Sequence, residues 1–391
     1  YHRRIGGLLM IGLVTCFWVK NYGSALQSYA TQNILDQLNV ENETINYSVS
    51  NEPFLRRLNI ILHKLRYPSV RKAKYDKYIN KNEMHKSEEY ENGIKDRMQA
   101  FDSFIKSQIR FSNPIKDRKQ LREQSLKYST IIVGSDQLWL PENIEEDYYT
   151  LSWVQKGIKK VSYATSFGVS AIPRMTRKKT KEFLLGMDNI SVRELSGANI
   201  VKEISGKNSE VVLDPTLLLT RAEWDSLSNG SRIIGEKYIF CYFMAKGKNK
   251  RKFAEKLKEK TGYKIVVLRH LDEFISDDEN FGDYAPYDIG PIEFINLIKN
   301  AEYVCTDSFH GTVFSIINHR EFFTFNRYEK EVQGSTNTRL ASLLKLLGLE
   351  NRINNNKIEN ENIINYEEVD DKLLKLREKS LKYLKNAIDW N

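Results

Sequence analysis

The sequence predicts an α/β protein of two doubly wound domains, in which parallel strands are covered by helices on both faces. Short apolar runs rich in Val and Ile alternate with helical segments, a pattern typical of parallel strands buried on both faces. These runs fall into two series separated by the turn-like triplet Asn229–Ser231, and 391 residues are too many for one ordinary domain. We therefore expect two sheets that share a cleft.

The predicted strands divide the chain into two domains. The first series comprises Leu8–Phe17, Thr44–Val49, Thr130–Val133, Lys160–Ala164, Ile190–Val192 and Glu210–Leu213. The second series comprises Tyr238–Phe243, Lys264–Arg269, Tyr303–Thr306 and Glu321–Phe325. The domains are thus predicted at residues 1–225 and 226–350. Residues 351–391 are predicted to form a loop and an amphipathic helix that packs back on the body.

A helical insert, residues 51–122, interrupts the first series of strands. From Phe54 to Lys77 it carries eight Lys or Arg against one acid, Asp76, and its apolar residues recur at helical spacing. A basic amphipathic helix of this kind can lie on an anionic membrane surface. It can equally be a solvated helix whose apolar stripe packs on the domain, and the sequence leaves both interpretations open.

Composition narrows the class of protein and of partner. The net charge of +9 favours anionic partners, but no DNA- or RNA-binding motif accompanies it, so we expect no nucleic acid partner. Cys16, Cys241 and Cys305 each lie in an apolar run and have no metal-ligand spacing, which predicts a reducing, cytoplasmic compartment. No run reaches the roughly 18–20 apolar residues that span a bilayer.

Polar residues follow several predicted strands, which is where doubly wound sheets bind ligands. Asn21, Tyr22 and Gly23 open the helix after the first strand, and the free N–H groups of that helix could bind an anion. Asp136 follows the third strand and could act as a base or bind a hydroxyl. Helix capping would explain both clusters without a ligand. The residues beside the third and fourth strands that could bind substrate are Ser135, Gln137 and Ser166.

Several arginines are candidate anion ligands. Arg193 follows a short strand, where it could hold a phosphate or carboxylate at two points or form a surface ion pair. Arg269 and His270 end a strand of the second series and could face the cleft. Arg339 lies beside the polar loop Gly334–Asn337, which could also bind an anion.

The densest polar cluster follows the third strand of the second series. There His310 lies among Asp307, Ser308, Gly311 and Thr312 at a strand-to-helix turn. Buried polar groups are costly unless they have partners, and imidazole suits proton transfer near neutral pH. We therefore expect this cluster to be functional, although a lone histidine is usually structural.

Six motifs in order, each at the end of a predicted strand, resemble those of the polysaccharide pyruvyl transferases. They are Asn21–Gly23 with Leu26-Gln27, Val133–Gln137, Ser162–Gly168, Ser191–Glu194, Leu213–Thr216 and Thr306–Gly311. The resemblance covers roughly residues 8–350 without the insert. It departs at one position, because Ser308 stands where members of this family often carry Arg.

The resemblance implies two Rossmann-like domains facing a cleft, as in GT-B glycosyltransferases. It implies transfer of a pyruvyl group from phosphoenolpyruvate to a sugar hydroxyl pair of a surface polysaccharide precursor, as a ketal. The acceptor would be a sugar or a lipid-linked oligosaccharide, and no metal or other cofactor is expected. In that chemistry we expect His310 as acid/base with Asp307 orienting it. Asp136 would position or deprotonate the acceptor, and Arg193 and Arg269 would bind the donor.

Two other functions stay open at this stage. A glycosyltransferase that uses a nucleotide sugar could have the same architecture. A non-catalytic glycan- or membrane-associated protein could use the basic helix and a degenerate pocket, an interpretation that Ser308 supports. A membrane contact would place the protein at the inner face of the membrane.

Overall fold

The computed structural model describes residues 10–72, 74–75, 78, 88–227, 232–270, 275–327, 338–353 and 363–390. It contains a six-stranded and a four-stranded parallel sheet, each covered by helices, so the predicted class of two doubly wound α/β domains is confirmed. Two segments named in the sequence analysis lie outside the described residues: the triplet Asn229–Ser231 and the loop Gly334–Asn337.

The first sheet is built from strands that precede residue 212. They are β1 (Met10–Val14), β2 (Glu41–Thr44), β3 (Thr130–Val133), β4 (Lys159–Thr165), β5 (Asn189–Val192) and β6 (Glu210–Val211). Their order across the sheet is β2-β1-β3-β4-β5-β6. The helices of this part are α1 (Tyr22–Gln37), α2 (Phe54–Lys64), α3 (Glu88–Gln108), α4 (Arg118–Gln124), α5 (Arg174–Leu185), α6 (Leu195–Ser205), α7 (Pro215–Leu218) and α8 (Arg221–Leu227).

The second sheet begins at residue 238. Its strands are β7 (Tyr238–Tyr242), β8 (Lys264–Val267), β9 (Tyr303–Thr306) and β10 (Glu321–Thr324), in the order β10-β9-β7-β8. The helices after it are α9 (Lys248–Thr261), α10 (Pro291–Lys299), α11 (Phe309–Ile317), α12 (Thr338–Leu347) and α13 (Tyr366–Ala387). Single 3₁₀ turns occur at Val49–Asn51, Ser125–Lys127, Pro141–Glu146, Ser276–Asp278 and Glu350–Arg352.

Both sheets have the same kind of switch point, which positions the site. β1 lies between β2 and β3, and β7 lies between β8 and β9, so in each sheet the strand order reverses beside the first strand. A crevice opens beyond the carboxyl ends of the two strands at such a point. The segments after β1, β3, β7 and β9 are therefore the ones that can form a site.

One predicted strand, Thr44–Val49, is wrong. The strand is Glu41–Thr44, a polar segment at the edge of the sheet beside β1, and it ends where the prediction began. Ile45 and Tyr47 are buried, but they pack into the core from irregular backbone. Their apolar character reports burial and not strand pairing.

Helix α3, in the insert, joins the two domains. Arg97 is fully buried and donates to three main-chain carbonyls of the second domain, those of Arg269 at 2.5 Å, Pro286 at 2.8 Å and Tyr287 at 2.8 Å. Gly93 lies directly against the Tyr287 ring, where an added Cβ would come within 2.2 Å of the ring. The insert therefore fixes how the two sheets face each other.

Helix α13 also spans both domains. Near its start the Tyr366 hydroxyl donates to the carbonyl of Arg320 in the second domain. Near its end the Tyr383 hydroxyl donates to the carbonyl of Ser162 in β4 at 2.9 Å. One apolar core accordingly runs through both domains and this helix. Among the described helices, none is long and apolar enough to cross a membrane.

Candidate active site

A cavity of about 390 Å³ lies where the two switch points face each other. The first domain lines it with segments after β1 and β3, and the second with Met244 after β7 and the start of α11. The sequence-predicted residues that line it are Asn21, Asp136, Gln137, Ser308, His310 and Arg339. Ser24 and Arg327 line it as well, and so do Lys64 and Tyr149, for which the sequence predicted no site role.

A buried carboxylate, Asp214, connects the strand ends of the first domain to His310. One oxygen accepts from Ser135 Oγ at 2.8 Å and Arg193 Nη1 at 2.6 Å. The other accepts from the Thr216 N–H at 3.0 Å, and His310 Nε2 lies 3.6 Å from it. Burial opposes ionisation of Asp214, but His310 and Arg193 outweigh it and hold its pKa well below the usual range.

The prediction that Asp307 orients His310 is wrong. The carboxylate of Asp307 accepts from the N–H groups of Met244 at 2.6 Å and Ala245 at 3.3 Å, and from Lys250 Nζ at 2.5 Å. Both Asp307 and Lys250 are buried, so the carboxylate is committed to holding the turn after β7. Asp214, and not Asp307, is the carboxylate that lies next to His310 Nε2, and its position in the Leu213–Thr216 motif was the available signal.

His310 is positioned by the first turns of two helices. Ser308 caps α11, and its Oγ accepts from the Gly311 N–H at 3.3 Å. Helix α1 approaches from the first domain, and Gly23 permits this, since a Cβ there would lie 1.9 Å from His310 Nδ1. The imidazole is therefore confined between Gly23 on one side and Asp214 on the other.

The N–H groups at the start of α1 are not free for an anion, contrary to the prediction. Asn21 Oδ1 accepts from the Gly23 N–H at 2.9 Å and from the Ser24 N–H at 3.3 Å. The capping interpretation of this cluster is thus the correct one. The Asn21 side chain lines the cavity, as does Ser24, whose hydroxyl donates to Asp136.

Asp136 lies opposite His310 in a strained turn. Its φ is 82°, in the left-handed region, and its Oδ2 accepts from Ser24 Oγ at 2.8 Å. Burial would raise its pKa, but Arg193, His310 and Arg339 outweigh burial and hold the pKa at about 2. So acidic a group is a weak base, which favours positioning of a hydroxyl over removal of its proton.

Two arginines approach the same aromatic ring but differ in access. The guanidinium carbon of Arg193 lies 4.4 Å from the Phe309 ring centroid. Arg193 donates to Asp214 and does not line the cavity. Arg339 lies 5.7 Å from that centroid and does line it. Burial, Arg193 and Arg327 lower the pKa of Arg339 to about 9, with Asp136 offsetting part of the effect.

An anionic ligand in the cavity would give Arg339 a counter-charge and hydrogen-bond acceptors. The cation is buried beside two other cations, and its Nε finds no hydrogen-bond partner among the described residues. A buried guanidinium without a full set of acceptors is energetically costly, and a phosphate or carboxylate supplies them at two points. The cavity is therefore suited to an anionic ligand.

Other predicted ligands turn out to support the site from outside the cavity. Tyr22 donates to a main-chain carbonyl of the second domain at 2.7 Å. Ser166 Oγ donates to the buried Glu194 at 2.8 Å, and Thr312 Oγ1 donates to Thr324 Oγ1 at 3.0 Å. These hydroxyls are buried and committed to internal partners.

Arg269 and His270 lie at the end of β8 and are not among the residues that line the cavity. Arg269 Nη1 donates to the Tyr287 hydroxyl at 2.5 Å, and its main-chain carbonyl accepts from Arg97. The predicted role of Arg269 in donor binding is not supported by this placement, because the side chain belongs to the joint between α3 and the second domain.

Comparison with known proteins gives a family and a fold. A family model described as polysaccharide pyruvyl transferase matches residues 21–328. No curated protein matches the chain. Among solved structures, S. aureus MnaA with UDP is 11% identical with a TM-score of 0.52, and the alignment covers 99% of this chain and 98% of that one.

Other structures are similar at lower scores. The UDP-GlcNAc 2-epimerase from Neisseria meningitidis bound to UDP-GlcNAc is 10% identical, covering 96% of this chain and 100% of that one, with a TM-score of 0.45. The glycosyltransferase SnogD from Streptomyces nogalater is 8% identical, covering 96% and 95%, with a TM-score of 0.42. Likeness at such identities concerns the fold alone, and the predicted class of two Rossmann-like domains is confirmed by the two parallel sheets of this chain and by its likeness in fold to MnaA.

Replacing Asp307 by Asn should destabilise the fold. Lys250 would then be buried without its counter-charge, which costs about 3–5 kcal/mol. The free energy of unfolding in urea measures this loss. Asp225→Asn is the matched control, because its pair with Lys299 is partly exposed and should change stability by about 0–1 kcal/mol. A stable Asp307→Asn protein would contradict the structural role.

The stability contributed by Asp136 should disappear in acid. Its pKa falls from 3.8 to about 2 on folding, so the ionised form stabilises the fold above the unfolded value and this is lost as pH falls through the folded value. The gap in unfolding free energy between wild type and Asp136→Asn should narrow by about 2 kcal/mol between roughly pH 5 and pH 2. Parallel pH profiles of the two proteins would contradict the prediction.

Proposed function

The chain belongs to the polysaccharide pyruvyl transferase family, and from this premise we propose that it transfers a pyruvyl group from phosphoenolpyruvate to two hydroxyls of a sugar. The sugar would be part of a surface polysaccharide precursor, and the products a pyruvate ketal and phosphate. The observation that carries the proposal is the pairing of His310 with the buried Asp214 beside Arg339, in a cavity between the two domains.

The proposed reaction needs one proton donor and one site for departing phosphate. His310, as imidazolium, gives a proton to the methylene carbon of phosphoenolpyruvate, and the central carbon becomes electrophilic. One sugar hydroxyl adds to that carbon, the carbon–oxygen bond to phosphate breaks, and the second hydroxyl adds in its place. His310, neutral after giving its proton to carbon, takes the proton of the first hydroxyl, and the departing phosphate takes the proton of the second, so the protons balance. Asp214 Oδ1, 3.6 Å from His310 Nε2, would hold the imidazole in place during the proton transfer.

Arg339 is the best-placed ligand for the donor. Of the three arginines predicted as anion ligands, Arg193, Arg269 and Arg339, only Arg339 lines the cavity. Its guanidinium lies over Phe309, the neighbour of Ser308, so it reaches the same place from α12. A guanidinium there can hold a phosphate or carboxylate in two-point fashion and stabilise the charge that develops as phosphate departs.

The opposite wall of the cavity is proposed to bind the acceptor. Asp136, Ser24 and Gln137 offer a carboxylate, a hydroxyl and an amide that can hydrogen-bond to sugar hydroxyls. Gln137 Nε2 is buried and has no hydrogen-bond partner among the described residues, which leaves a donor available to an acceptor oxygen. The first hydroxyl would be positioned by Asp136, whose low pKa suits it to that role.

We further propose that the enzyme acts in the cytoplasm on a sugar or lipid-linked oligosaccharide acceptor, and that no metal or other cofactor takes part. The free thiols Cys16, Cys241 and Cys305 are consistent with a reducing compartment. The proton transfer and the charge stabilisation that the reaction needs are assigned to side chains.

Phosphoenolpyruvate should raise the thermal unfolding midpoint of the protein, and the Arg339→Gln variant should lose this shift. A ligand at 100 times its dissociation constant stabilises a fold by about 2.7 kcal/mol, because it binds the folded state alone. The matched control is Arg177→Gln, an exposed arginine far in sequence from the cavity-lining segments, which should keep the shift. A shift with UDP and none with phosphoenolpyruvate would overturn the proposal in favour of a nucleotide-sugar glycosyltransferase.

His310→Ala should lower turnover by roughly 10²–10⁴-fold, because general acid catalysis is removed. Phosphate release from phosphoenolpyruvate in the presence of a panel of glycosides measures the rate. The variant should retain the thermal shift with phosphoenolpyruvate, which shows that it is folded and binds the donor. A folded variant with near-normal turnover would remove His310 from the mechanism.

A further inference from the structure

Helix α2 has its polar face turned inward and its apolar face turned outward. On the inner face, Arg56 Nη2 lies 3.0 Å from Asp147 Oδ2, and Lys64 pairs with Glu146. Ile60 is the one fully buried residue of the helix. Helices on globular proteins normally bury the apolar stripe and expose the charges. Helix α2 does the opposite: ion pairs attach it to the first domain, and its apolar side is exposed to solvent.

The outward face is large and contiguous. Its residues recur at positions i, i+1, i+4, i+7 and i+8, which is one side of a helix. Their exposed fractions are 74% for Phe54, 73% for Leu55, 41% for Leu58, 41% for Ile61 and 54% for Leu62. Apolar patches of this kind on a soluble protein mark a contact with a partner or a membrane.

Exposed cations and tyrosines lie on this helix and in the segment that follows it. Residues 53–75 contain seven Lys or Arg and no Asp or Glu. Arg57 and Arg66 are exposed, as are Lys72 and Lys74 in the segment that follows. Tyr75 and Tyr78 are exposed as well. Apolar residues flanked by cations and interfacial aromatics are what an anionic lipid surface binds.

We propose that the exposed face of α2, together with the exposed cations Arg57, Arg66, Lys72 and Lys74, is a docking surface for an anionic lipid bilayer. The apolar side chains would enter the boundary between head groups and acyl chains, and the cations would meet the anionic head groups. Charge identifies the occupant: a second copy of this chain would oppose the exposed Arg57, Arg66, Lys72 and Lys74 with the same four cations, whereas an anionic bilayer complements them.

The same helix lines the cavity through Lys64, so docking would hold the cavity close to the bilayer. This part of the inference rests on the proposed function, because it favours an acceptor that is linked to a lipid over a free sugar. The docking itself does not depend on turnover, and it can be measured on protein without substrate.

Flotation with vesicles tests the docking surface. The protein should float with vesicles of phosphatidylcholine and phosphatidylglycerol in equal parts, and it should not float with phosphatidylcholine alone. The variant Leu55→Ser/Leu62→Ser should bind the mixed vesicles at least about tenfold more weakly, because two exposed leucines no longer enter the bilayer. Leu374→Ser, at a leucine of similar exposure on α13, is the matched control and should bind as the wild type does.

The charge variant Arg57→Glu/Arg66→Glu tests the second half of the proposal. Each cation near an anionic surface contributes about fivefold in binding, so losing two should weaken binding by about 30-fold or more. Absence of flotation at low salt would overturn the proposal, and so would binding that both double variants retain. A wild-type dimer that Leu55→Ser/Leu62→Ser converts to monomer, without vesicle binding, would also overturn it. The thermal shift with phosphoenolpyruvate should be unchanged in both double variants, so a loss of vesicle binding can be told apart from a loss of donor binding.

Discussion

The site depends on the compensation of one buried charge, the carboxylate of Asp214. A charge with no solvent around it must be compensated, and the compensating groups come from separate parts of the chain. Ser135 follows β3, Arg193 follows β5, and His310 begins α11 in the other domain. Because these partners converge on one carboxylate, the ends of two strands and the face of the second domain are held at fixed distances.

That convergence requires the two domains to keep one relative position. Two helices, α3 and α13, hold the domains in that position. The Arg97 side chain of α3 donates to three carbonyls of the second domain, and α13 contacts both domains through Tyr366 and Tyr383. Gly23 then allows α1 to reach the imidazole of His310. The cleft is thus bounded by rigid elements, and the cavity within it is set by a few side chains at the strand ends.

Local signals were enough for every described strand except the polar edge strand β2, and for the segments that form the site, because strands buried on both faces are continuously apolar and their carboxyl ends are polar. They could not distinguish which polar groups face a ligand. Asp307 and Asp214 both lie in turns beside strands, and only their three-dimensional partners show that the first holds Lys250 while the second faces His310. The role of Arg269 could not be predicted either, because its partner Tyr287 and its neighbour Arg97 are distant in sequence. Nor could the outward apolar face of α2, since helical spacing alone does not say which side is buried.

A crystal structure of the protein with phosphoenolpyruvate tests the central claim most directly. The account predicts the donor in the cavity between the domains, with its phosphate or carboxylate paired to Arg339 and its methylene carbon facing His310. Donor density at Arg269, or elsewhere outside that cavity, would contradict it.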